Sequence, residues 1–491
     1  MLNNTFKNKV INVVAEKIVF PGRSLCRCAD GIALFTDGLL PNEIAEVFVT
    51  KDKKTFREGV VKSINSVSVE RIDPLCESFG LCGGCSFQNV SYEAQVKYKY
   101  EYTSDFLSFI GIEIPKVLVN LQIWYYRNKM EFSFFNSSLL SLKYQNRCNF
   151  QMSLPSIHIQ DEPYCEKNPG NDVSKENCAV DIGLHCRGSF NRYVSVPNCF
   201  ISDKDFSSVV KVVKKFANRN DLTVYNNTTH KGFLRHLVLR RGWNDNQLLV
   251  NIITSGIGCG SIFLKQLTNE LSDFSDSIYL TINRSKSDAI LFDRLTLVYG
   301  EAFITERLYV GNREYFFNIS PFSFFQTSSK GAEILYNEIL CMLDPLKTDI
   351  MLDLYCGVGV IGILVSENFS RIIGVEQSEQ SIENAKENAL INNIYNIEFQ
   401  ALAVEEWIKK NETNFDAVIV DPPRNGLTKN VVNFLIKSRA KKIIYISCNP
   451  STLARDLKLI IENSKYKVRK IKLIDMFPQT YHIEVVSLLE L

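Results

Sequence analysis

The sequence predicts a multidomain α/β protein: a small N-terminal β-barrel, a central α+β region, and a doubly wound, Rossmann-like C-terminal domain. Three observations carry that reading. The 491 residues exceed what one core ordinarily holds, at about 100–200 residues per domain. Residues 8–68 alternate short Val/Ile-rich runs with turn signals, the spacing of short strands. The last third alternates apolar strand-like runs with helical patterns, as parallel α/β sheets require. The expected domains are 1–70, 71–310 and 311–491.

Composition narrows the class. With 45% hydrophobic and 22% charged residues, the chain is neither a disordered polyelectrolyte nor a membrane span. Lys plus Arg (56) barely exceeds Asp plus Glu (54), so any affinity for nucleic acid has to come from local patches. Met1 to Val19 lacks a secretory apolar core and no later apolar run reaches bilayer length, which predicts a cytoplasmic protein with no membrane partner. Fourteen cysteines in such a chain point to metal ligands or catalysis rather than disulfides.

The barrel strands are punctuated at Pro21-Gly22, Asp30-Gly31, Asp37-Gly38 and Pro41-Asn42. After a cysteine cluster at Cys76–Cys85, residues 91–110 carry helical apolar periodicity. Residues 120–310 read as strand-rich, with TVYNNTTHKGFLRHLVLRRGW and QLLVNIITSG as extended segments. Residues 137–180 are polar and aperiodic, with Asn168-Pro169-Gly170, and are expected to be an irregular insertion. In the C-terminal third, strands are expected at 350–355, 371–375, 416–420 and 442–447, with helices at 360–367, 378–392 and 451–463.

Chemistry concentrates in that last third. The run MLDLYCGVGVIGILV leads a strand into Gly357, Gly359 and Gly362. Such glycines let backbone approach a ligand between a strand end and a helix N-terminus, while Glu376, ending RIIGVE, is placed to accept from ribose hydroxyls. The motif suits a dinucleotide and S-adenosylmethionine alike. Asp421-Pro422-Pro423-Arg424, directly after the strand AVIV, favours the second, because dehydrogenases do not need it. In KKIIYISCNPSTLARDLKLI a strand runs into Cys448, followed by Asn449 as helix N-cap and Pro450 at the first helical position. The positive helix end is expected to favour the Cys448 thiolate, the form that attacks carbon; a buried cysteine acting as a small hydrophobe is the structural alternative. Glu484 is an acid in an otherwise apolar strand, where burial raises a carboxyl toward base-competent values.

DPPRNGL at 421–427, SCNP at 447–450 and DMFPQTYHIE at 475–484 resemble, in order, the motifs of the RNA uracil-C5 methyltransferases, especially the iron–sulfur branch acting on 23S ribosomal RNA. The resemblance spans nearly the whole chain. It implies rRNA modification in which Cys448 adds to C6 of a flipped uracil, C5 takes a methyl group from S-adenosylmethionine, and Glu484 removes the C5 proton so that Cys448 leaves. It also implies that Gln326 in ISPFSFFQTSS, Tyr355, Glu376 and Asp421 contact the methyl donor. The N-terminal segment, with FPGRSLCR and DGLLPNE, resembles the OB-like TRAM module, an RNA-binding barrel. The helix at 91–110 is then expected to pack on the catalytic domain, and the protein to act as a monomer. A tRNA T-loop uridine is the alternative substrate, and an inactive RNA-binding scaffold the alternative class.

Cys76, Cys82 and Cys85 have the spacing C-x₅-C-x₂-C, with interspersed glycines, and grouped thiolates bind soft metals. By the resemblance the fourth ligand is Cys199 in YVSVPNCFISD and the centre a four-iron, four-sulfur cluster; zinc is the rival, since four thiolates also close a structural zinc site. Cys165, Cys178 and Cys186 compete with Cys199 for that place and are read as thiols outside the metal set. Arg127 and His236 stand among aromatic residues, as RNA contact requires, and Lys211, Lys214, Lys215 and the KSRAKK run read as solvated faces. Cys356 reads as structural.

Overall fold

The computed structural model describes residues 6–137, 179–189, 191–256, 261–288, 292–343, 349–411 and 414–491. Strands β1 (Val10–Val19), β2 (Arg23–Arg27), β3 (Ala33–Thr36), β4 (Ile44–Asp52) and β5 (Phe56–Ser66) close a barrel in the order β1-β2-β3-β5-β4. Alternate residues of β4, Ala45, Val47 and Val49, turn inward onto Val13, Cys26 and Leu34, the period of two that a half-buried strand demands. A Cβ on Gly59 of β5 would stand 2.4 Å from Val47 Cγ1, so only glycine lets the two strands cross there.

Helix α1 (Tyr92–Leu107) is capped by Ser91, whose side chain accepts the Ala94 N–H. It packs between the barrel strand β1 and the C-terminal helix Pro450–Glu462. Its buried face includes Gln95 and Lys99, polar positions with partners far away in sequence, Gln479 and Asp475.

The central part runs β6 (Leu118–Val119), β7 (Lys129–Asn136), β8 (Val180–His185), β9 (Tyr193–Ser195), α2 (Phe206–Arg219), β10 (Leu234–Gly242), β11 (Gln247–Thr254), α3 (Ser261–Leu271), β12 (Ser277–Ile282) and β13 (Arg294–Gly300). All but β6 form a sheet in the order β13-β12-β11-β10-β7-β8-β9. Only β11 and β12 pair in parallel there, with α3 as their crossover. Val209, Val213 and Phe216 of α2, at helical spacing, bury one side of the helix on this sheet. The expected insertion at 137–180 falls almost wholly outside the described residues, and Cys165 and Cys178 with it.

A hairpin, β14 (Ile304–Val310) and β15 (Arg313–Ile319), and helix α4 (Ser329–Leu343) lead into the last third. There follow β16 (Ile350–Leu354), α5 (Val360–Val365), β17 (Arg371–Glu376), α6 (Glu379–Ile391), β18 (Ile397–Ala401), α7 (Val404–Lys410), β19 (Ala417–Val420), α8 (Lys429–Lys437), β20 (Lys442–Ser447), α9 (Pro450–Glu462), β21 (Lys467–Asp475) and β22 (Glu484–Glu490). The sheet order is β18-β17-β16-β19-β20-β22-β21-β6. Strands β18 to β20 are parallel, β22 is antiparallel to both neighbours, and β6 joins the far edge through Leu118 and Val119. Chain order reverses on either side of β16, which opens a crevice at the strand C-termini, where ligands of such sheets bind. No helix among the described residues is long and apolar enough to cross a membrane.

Candidate active site

Strand register assembles the site. Leu354 of β16 pairs with Val375 of β17 on one side and Val420 of β19 on the other. Tyr355, Glu376 and Asp421 are therefore the next residues of three adjacent strands, at one level above the sheet. On the other flank β20 and β22 run antiparallel with Ser447 opposite Val485, which carries Cys448 to the level of Glu484. Gln326, Tyr355, Glu376, Asp421, Cys448 and Glu484 line one cavity of about 980 Å³.

The glycine loop forms the floor. Tyr355, Gly357 and Gly359 all have positive φ, and buried Asp353 holds the turn by accepting the Gly362 N–H at 3.2 Å. A Cβ on Gly357 would meet nothing within 4 Å, and its backbone faces the cavity. Gly359 is also required by packing: a Cβ there would collide with the Phe399 ring at 2.7 Å, at the start of α5. Glu376 is oriented by its own turn, one carboxyl oxygen accepting the Ser378 N–H at 3.0 Å. Gln326 is held through its backbone, whose carbonyl accepts from Asn128 Nδ2 at 3.1 Å.

Asn449 caps α9 and Pro450 follows at its first position, as expected; the Asn449 side chain accepts from the N–H groups of Ser451 and Thr452 and donates to the Arg424 carbonyl at 3.0 Å. The cap thus takes the helix-end donors that were expected to hold a Cys448 thiolate. Burial, with Glu484 next, pushes the Cys448 thiol up to about 11, and Arg424 is the neighbour that opposes them. These influences favour the neutral thiol of Cys448, opposite to the pull expected from the helix end. Burial lifts Glu484 well above the usual carboxyl range, with Asp421 adding and Arg424 opposing, and it lifts Asp421 to about 7.

Among the lining residues that the sequence does not single out are Phe324 and His482. Phe324, 64% exposed, stands at the cavity two residues before Gln326, one phenylalanine among several in SPFSFFQ with nothing periodic to single it out. His482, inside the DMFPQTYHIE motif, lies 3.4 Å from Arg424 Nη2, and burial pushes it down to about 3, so its ring is neutral. His236, by contrast, is buried in β10 with Nδ1 3.3 Å from Ser133 Oγ, away from this cavity.

A second cavity, of about 390 Å³, is lined by Cys76, Cys82, Cys85, Cys186 and Cys199. The Gly84 N–H donates to Cys82 Sγ at 3.4 Å and Gln88 Nε2 to Cys85 Sγ at 3.1 Å. Burial raises the thiols of Cys76, Cys82 and Cys85, Cys82 to about 12, and Cys199 leads the charged neighbours that add to each. Among the described residues no three His, Cys, Asp or Glu side chains are drawn together around a single-ion site. Gly83, Gly84 and Arg127 line both cavities, so the cysteine loop is also a wall of the first.

Known proteins are similar to this one along nearly the whole chain. A family model described as tRNA (Uracil-5-)-methyltransferase matches residues 263–491. An uncharacterized RNA methyltransferase of Caldanaerobacter subterraneus is 34% identical over 99% of both chains. One from Clostridium acetobutylicum is 32% identical over 99% of this chain and 98% of its own. The crystal structure of the Pyrococcus abyssi tRNA (uracil-54, C5)-methyltransferase with S-adenosyl-L-homocysteine is 26% identical, covers 98% of this chain and 100% of its own, and superposes with a TM-score of 0.70.

Proposed function

The chain belongs to the RNA uracil-C5 methyltransferase family, S-adenosylmethionine-dependent enzymes, and on that footing we propose that it methylates C5 of a uridine in 23S ribosomal RNA with Cys448 as covalent nucleophile and Glu484 as base. One observation carries the reading: strand register sets Cys448 against Glu484 across a cavity whose far wall is Tyr355, Glu376 and Asp421.

Gln326, Tyr355, Gly357, Glu376 and Asp421 fit the methyl donor, offering an open backbone wall and acceptors at the strand ends. S-Adenosylmethionine, when bound, supplies the methyl group to C5. The chain's own residues do the rest. The Cys448 proton passes to solvent in the open cavity as the sulfur bonds to C6, and the displaced electron pair, spread over the C4 carbonyl as an enolate, makes C5 nucleophilic. Arg424 favours the charged forms of both Cys448 and Glu484. Glu484, in the carboxylate form that Arg424 favours, then takes the C5 proton, and burial, which favours the neutral acid, makes that acceptance downhill. The C–S bond breaks, the C5–C6 double bond returns, and Cys448 is released.

A tRNA uridine is the second reading, supported by the full-length likeness to the Pyrococcus abyssi tRNA enzyme. Nucleoside mass spectrometry of separated 23S rRNA and tRNA, from cells with and without the protein, decides between them. The fraction that loses 5-methyluridine contains the substrate; no loss in either overturns the activity. Covalent trapping on 5-fluorouridine RNA separates an active nucleophile from an inactive scaffold. The barrel serves as the TRAM-like RNA-binding module of the same protein.

The second cavity fits a four-iron, four-sulfur cluster on Cys76, Cys82, Cys85 and Cys199. Two of these sulfurs already receive N–H donors, as cluster thiolates do. Zinc is the rival centre, since four thiolates also close a structural zinc site. Iron and zinc counts on anaerobically purified protein test this, with Cys199→Ser expected to lose the metal.

A further inference from the structure

Cys186 gives the cysteine cavity one thiol more than a four-thiolate centre uses. Its backbone position is specific. The Gly83 N–H donates to the His185 carbonyl at 3.0 Å and the Arg187 N–H donates to the Leu81 carbonyl at 2.8 Å, which makes Cys82 and Cys186 directly opposed partners of an isolated antiparallel bridge. The two bonds flank the pair and do not join it, so this is the close, non-hydrogen-bonded kind, with Cα atoms about 4.5 Å apart. A disulfide accepts Cα separations of about 4.4–6.8 Å. The bridge is held on both sides: the Cys186 N–H donates to the Arg192 carbonyl at 2.8 Å, and the Arg187 guanidinium donates to the Cys85 carbonyl.

We infer that Cys186 and Cys82 are a redox pair, with Cys82 resolving an oxidised Cys186: when the four-thiol centre is empty and a peroxide is present, the two close a reversible disulfide across this bridge. The inference rests on the metal reading above for what frees Cys82, and on backbone geometry alone for the choice of partner. Cys186 is half-buried and Cys82 buried, so Cys186 meets the oxidant first. Its sulfur attacks one peroxide oxygen, the O–O bond breaks, and a sulfenic acid and one water form. The Cys82 sulfur then displaces hydroxide, which leaves as a second water with the remaining thiol proton. Two thiols have lost two electrons to one peroxide, and a dithiol reductant restores them by exchange.

The device matters because of what the loop touches. Gly83 and Gly84 wall the catalytic cavity, and the N–H groups of Ser86 and Phe87 both donate to the Gln479 carbonyl in the segment leading to Glu484. A Cys82–Cys186 bond keeps that loop on β8 while the metal is absent and keeps Cys186 from oxidising further.

The test uses the full chain stripped of metal by a chelator under reductant, exposed to equimolar hydrogen peroxide, alkylated and mapped by fragmentation mass spectrometry. The expected result is a peptide pair joined through Cys82 and Cys186, lost on dithiothreitol treatment, after which metal uptake returns. In Cys186→Ser the joined pair disappears while the freshly purified variant keeps the wild-type metal count, and in Cys82→Ser, with no thiol to resolve it, Cys186 advances to sulfinic acid. No joined pair, or Cys82 joined to Cys76, Cys85 or Cys199 as often as to Cys186, overturns the inference. A Cys186→Ser protein that loses its metal also overturns it, by making Cys186 a ligand. Absence of metal from all preparations defeats the metal reading alone and leaves the cross-link assay intact.

Discussion

Lys99 Nζ lies 2.7 Å from Asp475 Oδ1, and neither side chain has any exposure. The same ammonium donates to the Phe477 carbonyl at 3.1 Å, and Asp475 also accepts from Tyr92 and from the Phe477 N–H. One helix of the N-terminal half thus anchors the segment that leads to Glu484. Lys99→Met strands a buried carboxylate and is expected to cost about 3–5 kcal/mol, read as a lowered urea midpoint. The double variant with Asp475→Leu recovers part of that loss; a double variant no better than the single one would show that packing, not charge, dominates.

Cys448→Ala and Glu484→Gln should fail differently. Without the nucleophile, single-turnover methylation falls by at least about 10⁴-fold, no RNA adduct forms, and S-adenosylhomocysteine binding persists. Without the base the fall is about 10²–10⁴-fold, and a denaturant-stable protein–RNA adduct accumulates, because the C5 proton cannot leave. Gel electrophoresis of labelled RNA distinguishes them, and adduct with Cys448→Ala sinks the assignment.

Arg424 is the cation that opposes burial at both Cys448 and Glu484. Its removal raises the Cys448 pKa beyond about 11, so the rising limb of the rate–pH profile moves to higher pH in Arg424→Met. Single-turnover rates measured across neutral to alkaline pH check this; an unshifted limb leaves Arg424 a binding residue only.

Burial pushes Asp353 up to about 8, and Asp421 and Glu306 to about 7. A carboxyl whose folded pKa exceeds its unfolded one binds more protons folded than unfolded, so its stabilising contribution is full below the unfolded value of about 4 and declines as pH rises toward the folded value. Urea stability is therefore expected to fall between about pH 5 and pH 8, and Asp353→Asn, which keeps an acceptor for the Gly362 N–H, should flatten that slope. An equal slope in the variant would assign the pH dependence elsewhere.

What the sequence made legible is the part governed by local pattern. The strand–glycine–helix run, Glu376 at the next strand end and the Asn449-Pro450 cap follow from periodicity and capping chemistry, and their positions agree to a residue or two. Pairings across long separations were illegible. Gln95 and Lys99 look like solvent positions of α1, yet their partners Gln479 and Asp475 lie 384 and 376 residues on. The burial of Cys448 and its nearness to Glu484, which favour the neutral thiol, come from strand pairing that no local pattern expresses. The opposition of Cys186 to Cys82 needs a strand bridge spanning about a hundred residues, which no spacing rule expresses.

Leu118 and Val119, the two residues of β6, finish the catalytic sheet from outside its own stretch of sequence. Excision of the last third, from residue 311 on, would therefore leave Ile474 and Asp475 as a raw edge with open peptide groups beside an unmatched carboxylate. Bare edges recruit copies of themselves. The methyl-transferring third is consequently no portable cassette: its solubility is underwritten by residues that precede it in the chain.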